Sequence, residues 1–187
     1  MILPPAPWFP LVTERLRLRD FREADFDDVH AYAIDPEVVR YMEWGPNTPE
    51  MTREVLDRWL AEAKTWPRAG VTLAVELVAT GRVIGSIRLE VHDPANRTAD
   101  MGYSFHRPYW RQGYATEAAR VVVGAAFGAL DLHRVWATCD VRNAGSWGVM
   151  EKLGMRREAL LRQNRLVRDG WRDSYVYGVL AQEWRSS

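Results

Sequence analysis

Hydrophobic and polar positions alternate along several short stretches of the chain and recur at three- and four-residue spacing along others. Thr13 to Arg19 alternates, with Leu16 and Leu18 on one side and arginines on the other, which predicts a half-buried strand after an irregular arm over residues 1–12. A helix is expected from Asp20 to about Ile34, where Asp35-Pro36 breaks it. Thr48 as N-cap and Pro49 at the first helical position open a second helix, which runs to about Trp66 and ends over Pro67 to Gly70. Val71 to Val78 and Arg82 to Val91, joined at Thr80-Gly81, read as a hairpin. After a polar turn from His92 to Arg97, Thr98 to Phe105 is the next strand. Ala118, Val121, Val122, Ala125, Ala126 and Ala129 then recur at helical spacing, and Val123, Phe127 and Leu130 are apolar too. That predicts a helix buried on most sides.

Strand patterns resume from His133 to Val141, from Arg156 to Val167 and from Trp171 to Ala181, the last two flanking a turn at Arg168-Asp169-Gly170. Between them lies a short helix that starts near Asn143, carries Val149, Met150 and Leu153, and stops at Gly154. Strand, long helix and strand in succession make a right-handed crossover with parallel strands. The expected fold is α+β with an α/β-like crossover. It is one domain over residues 1–187, with a mixed, mostly antiparallel sheet of about six to seven strands flanked by helices.

Composition narrows the function. Lys+Arg and Asp+Glu both number 25, so the formal net charge is zero, and binding to nucleic acid through bulk charge is not expected. Cys139 is the single cysteine, which excludes an internal disulfide and reads as a small core residue rather than a nucleophile. The four histidines show no ligand spacing, so no metal is expected. No apolar run reaches membrane-spanning length, and the apolar, proline-rich start lacks the basic flank of a signal peptide; a cytoplasmic protein is the expectation.

The candidate chemistry lies between Tyr103 and Leu130. A strand ends in the short turn Arg111-Gln112-Gly113-Tyr114-Ala115-Thr116 and runs directly into the long helix. The first amides of a helix have no partner inside it and carry the positive end of its dipole. Small side chains there let a pyrophosphate approach the backbone. A tight turn with glycine for geometry alone is the competing reading. Neither Gly-x-Gly-x-x-Gly nor Gly-Lys-Ser/Thr occurs, which sets the familiar nucleotide loops aside.

Tyr109-Trp110-Arg111-Gln112-Gly113-Tyr114-Ala115-Thr116-Glu117-Ala118 resembles the acetyl-CoA pyrophosphate loop of the GCN5-related N-acetyltransferase (GNAT) superfamily, with Trp110 replacing the usual first polar residue. Arg142-Asn143-Ala144-Gly145-Ser146 through Glu151-Lys152-Leu153-Gly154-Met155 resembles a second element of that family, and the stretch from Glu14 to Met42 is similar to the opening of its RimJ/RimL-type branch. The resemblance implies acetyl-CoA as cosubstrate and direct attack by an amine, without metal or covalent intermediate. It implies splayed parallel central strands, with a bulge at Gly102 opening a slot for the pantetheine arm and freeing amides near Met101, Gly102 and Tyr103 for the thioester carbonyl.

By the same resemblance, Arg111, Gln112, Gly113, Tyr114, Ala115 and Thr116 contact pyrophosphate, and Asn143 contacts pantetheine. Ser146 binds the CoA sulfur or protonates the thiolate, and Asp100 serves as base through a water, with Glu90 as the alternative. Tyr41, Met42, Glu43 and Trp44 line the acceptor side. The acceptor is a protein N-terminal amine or a small amine such as a polyamine, amino acid or drug. A homodimer is frequent in similar proteins. An idle acyl-CoA-binding module and an unrelated phosphate binder are the competing functions.

Overall fold

The computed structural model describes residues 9–65 and 68–184, so the readings that fall on residues 1–8 and on Trp66-Pro67 lie outside the described residues. Leu11–Val12 (β1), Leu16–Arg19 (β2), Gly70–Leu77 (β3), Val83–Asp93 (β4), Thr98–Phe105 (β5), Arg134–Asp140 (β6), Arg156–Val167 (β7) and Gly170–Leu180 (β8) form one eight-stranded sheet in the order β1-β2-β3-β4-β5-β6-β8-β7. The sheet thus exceeds the expected strand count, because part of the presumed arm pairs: Leu11 lies opposite Leu18 and Val12 opposite Arg17. All neighbours are antiparallel except β5 and β6.

Helices cover both faces. Phe26–Ala33 (α1), preceded by a short 3-10 turn at Glu23–Asp25, and Pro49–Lys64 (α2) lie on one face. They bury Val29, Tyr32, Ala33 and Leu56 against Ala74 and Val83. Thr48 accepts a hydrogen bond from the Met51 amide (3.3 Å), and Pro49 sits in the first turn, as expected of that start. Tyr114–Gly128 (α3) and Ala144–Lys152 (α4) cover the other face. There the alternate residues Leu73, Val75, Ile87, Leu89, Met101 and Val135 meet Ala118, Val122, Val123 and Ala126. Ala181–Trp184 (α5) closes the described chain. The long helix α3 is buried or half-buried around most of its surface, as expected: within it only Arg120 and Gly128 are exposed.

Arg19 departs from the alternation. Expected on the polar side with Arg17, it is buried because Asp25 accepts from both of its terminal nitrogens (2.8 and 2.9 Å) and Glu76 accepts from Nε (2.6 Å). A buried cation persists when its donors are all answered.

The sheet opens beside α3. Pairing between β5 and β6 covers only Thr98, Ala99 and Asp100 against Arg134, Val135 and Trp136. Beyond Asp100 the strands part, and the β6-facing edge of β5 from Met101 to Phe105 has no strand beside it. The expected gap is present, but the expected bulge at Gly102 is not. Gly102 pairs in regular register with Arg88, and the ladder runs unbroken from Gly85/Phe105 to Val91/Ala99. The irregularity falls instead between Val91 and Asp93, where the extra residue, His92, is brought to the Asp100 carboxylate.

Candidate active site

The loop before α3 is built to leave its amides free. Trp110 Nε1 donates to the Phe105 carbonyl (2.7 Å), which closes the turn after β5 and accounts for tryptophan at that position. Gly113 is the N-cap in the left-handed region at φ 84°, and no side chain caps the helix. The first intrahelical bond runs from Glu117 N to Gly113 O (2.9 Å). Among the described residues, the amides of Tyr114, Ala115 and Thr116 therefore have no acceptor, and they face a cavity of about 470 Å³ lined by Arg111, Gly113, Tyr114, Ala115 and Thr116 on one side and by α4 on the other. Gln112 does not join them: its side chain donates back to Pro108 O (2.7 Å), so Arg111 is the polar side chain left to the groove.

Glu117, an acid in the first turn, would repel a phosphate, but it is neutralised from behind. Burial works against its ionisation, yet Thr13 Oγ1 (2.6 Å) and the Arg15 guanidinium (2.7 Å from Nε) hold its carboxyl below the usual range. Arg15 also donates to Gln112 O (3.1 Å) and lies over the Tyr114 ring, fixing the loop from outside the groove.

The facing wall is set by the turn from β6 into α4. Asp140 is buried (1% exposed) and accepts from Arg142 N (2.8 Å), Nε (2.9 Å) and Nη2 (2.7 Å). Burial opposes its charge, and those donors hold its pKa below the ordinary value. The turn delivers Asn143, whose Oδ1 accepts from Ser146 N (3.1 Å) as the N-cap of α4. The Asn143 amide NH2 stays available to the groove. Tyr103 reaches from β5 toward α4: its hydroxyl donates to Ser146 O (2.8 Å) and lies 3.3 Å from Ser146 Oγ. Burial raises the Tyr103 phenol well above its ordinary pKa and the Cys139 thiol to about 11, so both keep their protons at neutral pH.

A second cavity, of about 540 Å³, lies on the α1–α2 face and is floored by Thr72, Ser86, Arg88, Gly102 and Ser104. Tyr41, Met42, Tyr103, Ser104, Asn143 and Ser146 line both cavities, so the two meet at the gap between β5 and β6. Tyr41 and Met42 stand at this junction. Glu43 and Trp44 line the second cavity only. Met101 and Gly102, expected beside the cofactor, also line the second cavity rather than the groove.

Glu43 is not free to attract an amine: Arg165 and Arg172 each stand 3.5 Å from it. Those arginines belong to a clamp the sequence did not reveal, in which Arg172 donates to Tyr41 O (2.7 Å) and Arg168 donates to Trp44 O (3.0 Å) and to Val39 O. Asp100 lines neither cavity. Its two oxygens are held by Arg88 and by His92 Nε2, and Glu90 is paired with Arg88. Glu90, His92 and Asp100 offer ligand atoms within 4.8 Å of one another, but Arg88 already supplies the positive charge there.

A sheet parted between its parallel strands, with unanswered helix amides at the mouth of the opening, is the architecture of a transferase that threads an acyl-CoA through the sheet. The comparisons agree. The family model described as an acetyltransferase (GNAT) domain matches residues 15–156. A protein of Bacillus subtilis named as the uncharacterised N-acetyltransferase YnaD is 31% identical over 93% of this chain and 98% of its own. A GNAT-family acetyltransferase structure from Bacillus anthracis superposes with a TM-score of 0.82 at 32% identity, covering 92% of this chain and 98% of that one. The spermidine N-acetyltransferase of Vibrio cholerae, solved with CoA and spermine, shares the fold (TM-score 0.78, covering 92% of this chain and 99% of that one) at 17% identity. The chain belongs to the GNAT family of acetyltransferases, in keeping with its RimJ/RimL-type features, and is an acetyl-CoA-dependent N-acetyltransferase.

Proposed function

We propose that the enzyme acetylates a primary amine by direct attack in a ternary complex, the acetyl group being presented at the junction of the two cavities. The observation that carries this reading is the shared lining: the groove at the α3 N-terminus and the cavity on the α1–α2 face meet on Tyr103, Asn143 and Ser146. Pyrophosphate accepts from the amides of Tyr114, Ala115 and Thr116, assisted by Arg111. Asn143 donates to the pantetheine arm, and the open backbone edge of β5 polarises the thioester carbonyl. Ser146 Oγ binds the sulfur and protonates the departing thiolate. Most of the acceleration comes from positioning.

The amine loses its proton to water in the acceptor cavity. Asp100 stands behind that cavity, and its part in the proton path runs through the half-exposed imidazole of His92 that pairs with it. The test is thiol release from acetyl-CoA across an amine panel, in the wild type and in Asp100→Asn. The wild type turns over with at least one amine, and Asp100→Asn lowers kcat by about 100-fold or more, in the range of a lost general base. A kcat within about three-fold of wild type removes Asp100 from the proton path. Tight CoA binding with no turnover on any amine makes the protein a binding module.

A further inference from the structure

The lining of the acceptor cavity carries an inference about what enters it, and this inference rests on the transfer reading above. We propose that the acceptor is a compact monoamine with an apolar, ring-sized body, and that Gly102 sets the depth to which that body enters.

The charges come first. Three carboxylates line the cavity: Glu43, Glu54 and Asp140. Glu43 stands between Arg165 and Arg172, and Asp140 is bound by Arg142, so neither offers free negative charge. Glu54 has no ion-pair partner among the described residues, but Arg58, one turn along the same face of α2, is equally unpaired and lines the same cavity. Arg88 and Arg172 also line the wall, each already paired, Arg88 with Glu90 and Asp100 and Arg172 with Glu43. A second ammonium in this cavity would meet one carboxylate and an offsetting cation. A polyamine needs unopposed negative charge at each nitrogen beyond the one that reacts, because desolvating an unpaired ammonium is costly. The spermidine enzyme's fold is shared here, but such a lining is absent from the described residues.

The walls are apolar. Val29 and Tyr32 of α1, Met51, Val55 and Trp59 of α2, and Trp44 of the connecting loop surround the space. Trp44 and Met51 are 38% and 44% exposed, large apolar groups left uncovered at this cavity. The sheet floor, two helices and a loop stapled by Arg168 and Arg172 bound the cavity, which favours a compact acceptor over a chain that must run on out of the site. Its volume of about 540 Å³ suits a small molecule.

Gly102 is then explained. It has no positive φ, and a Cβ built on it would meet nothing nearer than Arg88 Nε at 3.9 Å. Neither backbone conformation nor close packing requires glycine there, and glycine inside a strand is unfavourable. Its missing side chain lies on the face of β5 that carries Asp100 and Ser104, where it deepens the cavity floor.

The experiment measures kcat/KM by thiol release for phenethylamine, propylamine, spermidine and an alanine-terminated peptide, in the wild type and in Gly102→Ala, with melting temperatures for both. Phenethylamine is expected to exceed spermidine and the peptide by about ten-fold or more in the wild type, the scale set by apolar pocket contacts. In Gly102→Ala the ratio of phenethylamine to propylamine is expected to fall by about ten-fold, with no loss of melting temperature, as an added methyl group fills the floor. Preference for spermidine or for the peptide overturns the proposed acceptor while leaving the transfer reading intact, and an unchanged ratio in Gly102→Ala overturns the role of Gly102. Absence of turnover on every amine, with acetyl-CoA bound, overturns the transfer reading and this inference together.

Discussion

Replacing Gly113 by alanine separates the two things that glycine does. At φ 84° a residue with a Cβ carries strain of roughly 1–2 kcal/mol. For a domain of this size each kcal/mol lowers the melting temperature by about 2–4 °C, so the fall is about 2–8 °C. The new methyl group meets only Arg15 Nη2 at 3.4 Å inside the protein, so steric damage to the fold is minor. Gly113 itself lines the groove beside the free amides, so relaxing the strained backbone there turns an amide away from the pyrophosphate. Losing one charge-assisted bond to an amide weakens binding by about 1.5–3 kcal/mol, which is about 10- to 150-fold in Kd. Gly154→Ala is the control: Gly154 has φ +75° and nothing within 4 Å of a built Cβ, and it does not line the groove. Both variants lose similar thermal stability, while only Gly113→Ala weakens CoA binding measured by calorimetry. Equal CoA affinity in the two variants would refute the placement of the pyrophosphate at the α3 N-terminus.

Ser146→Ala is expected to lower kcat by about 10- to 100-fold, the low end for general acid catalysis, with a smaller change in the KM for acetyl-CoA; a rise in KM alone marks Ser146 as a positioning residue. Asp140 and Glu117 both have depressed pKa values, so the stability they add is fully present above the ordinary carboxylate range and is lost as pH falls through their folded values. The melting temperature should therefore hold from neutral pH to about 5 and drop below about 4. In Asp140→Asn the acid slope shrinks. At neutral pH the lost bonds to Arg142 destabilise by about 1–3 kcal/mol; an unchanged acid slope would show that this turn is not what acid breaks.

Local pattern was enough to place most elements, because periodicity and caps are properties of neighbours in sequence. Thr48-Pro49 opened α2 and Asn143 opened α4 where expected, and the small residues around Gly113 marked the loop. What sequence concealed was pairing across distance. Gly102 signals a weakness in a strand, and a bulge was the local explanation. The actual irregularity at His92 is set by the partner it reaches, Asp100, which no local pattern shows. Glu43 in an aromatic loop reads as an amine trap until Arg165 and Arg172 arrive from more than a hundred residues away. The near absence of lysine was the available hint: arginine is the residue that clamps carbonyls and carboxylates with several donors at once, as Arg142, Arg168 and Arg172 do here.

The pairing pattern also explains how one strand serves two substrates. Along β5 successive side chains point to opposite faces, so Tyr103 reaches α4 while Gly102 floors the acceptor cavity, and at the gap Tyr103 and Ser104 line both cavities. That division becomes useful only where β6 has left, since a continuous ladder would seal one face from the other. The ladder ends at Asp100/Trp136. At that point Asp100 is pinned by Arg88 and His92 on the face of β5 that carries Gly102. The ion cluster thus sits at the apex of the opening, where it holds β4 and β5 together as β6 departs. A substitution that dissolves the cluster should loosen the apex as well as remove a candidate base, which is why the Asp100→Asn experiment reads the pH profile of kcat beside its magnitude: a lost base flattens the acid limb, whereas a loosened apex lowers the whole curve without changing its shape.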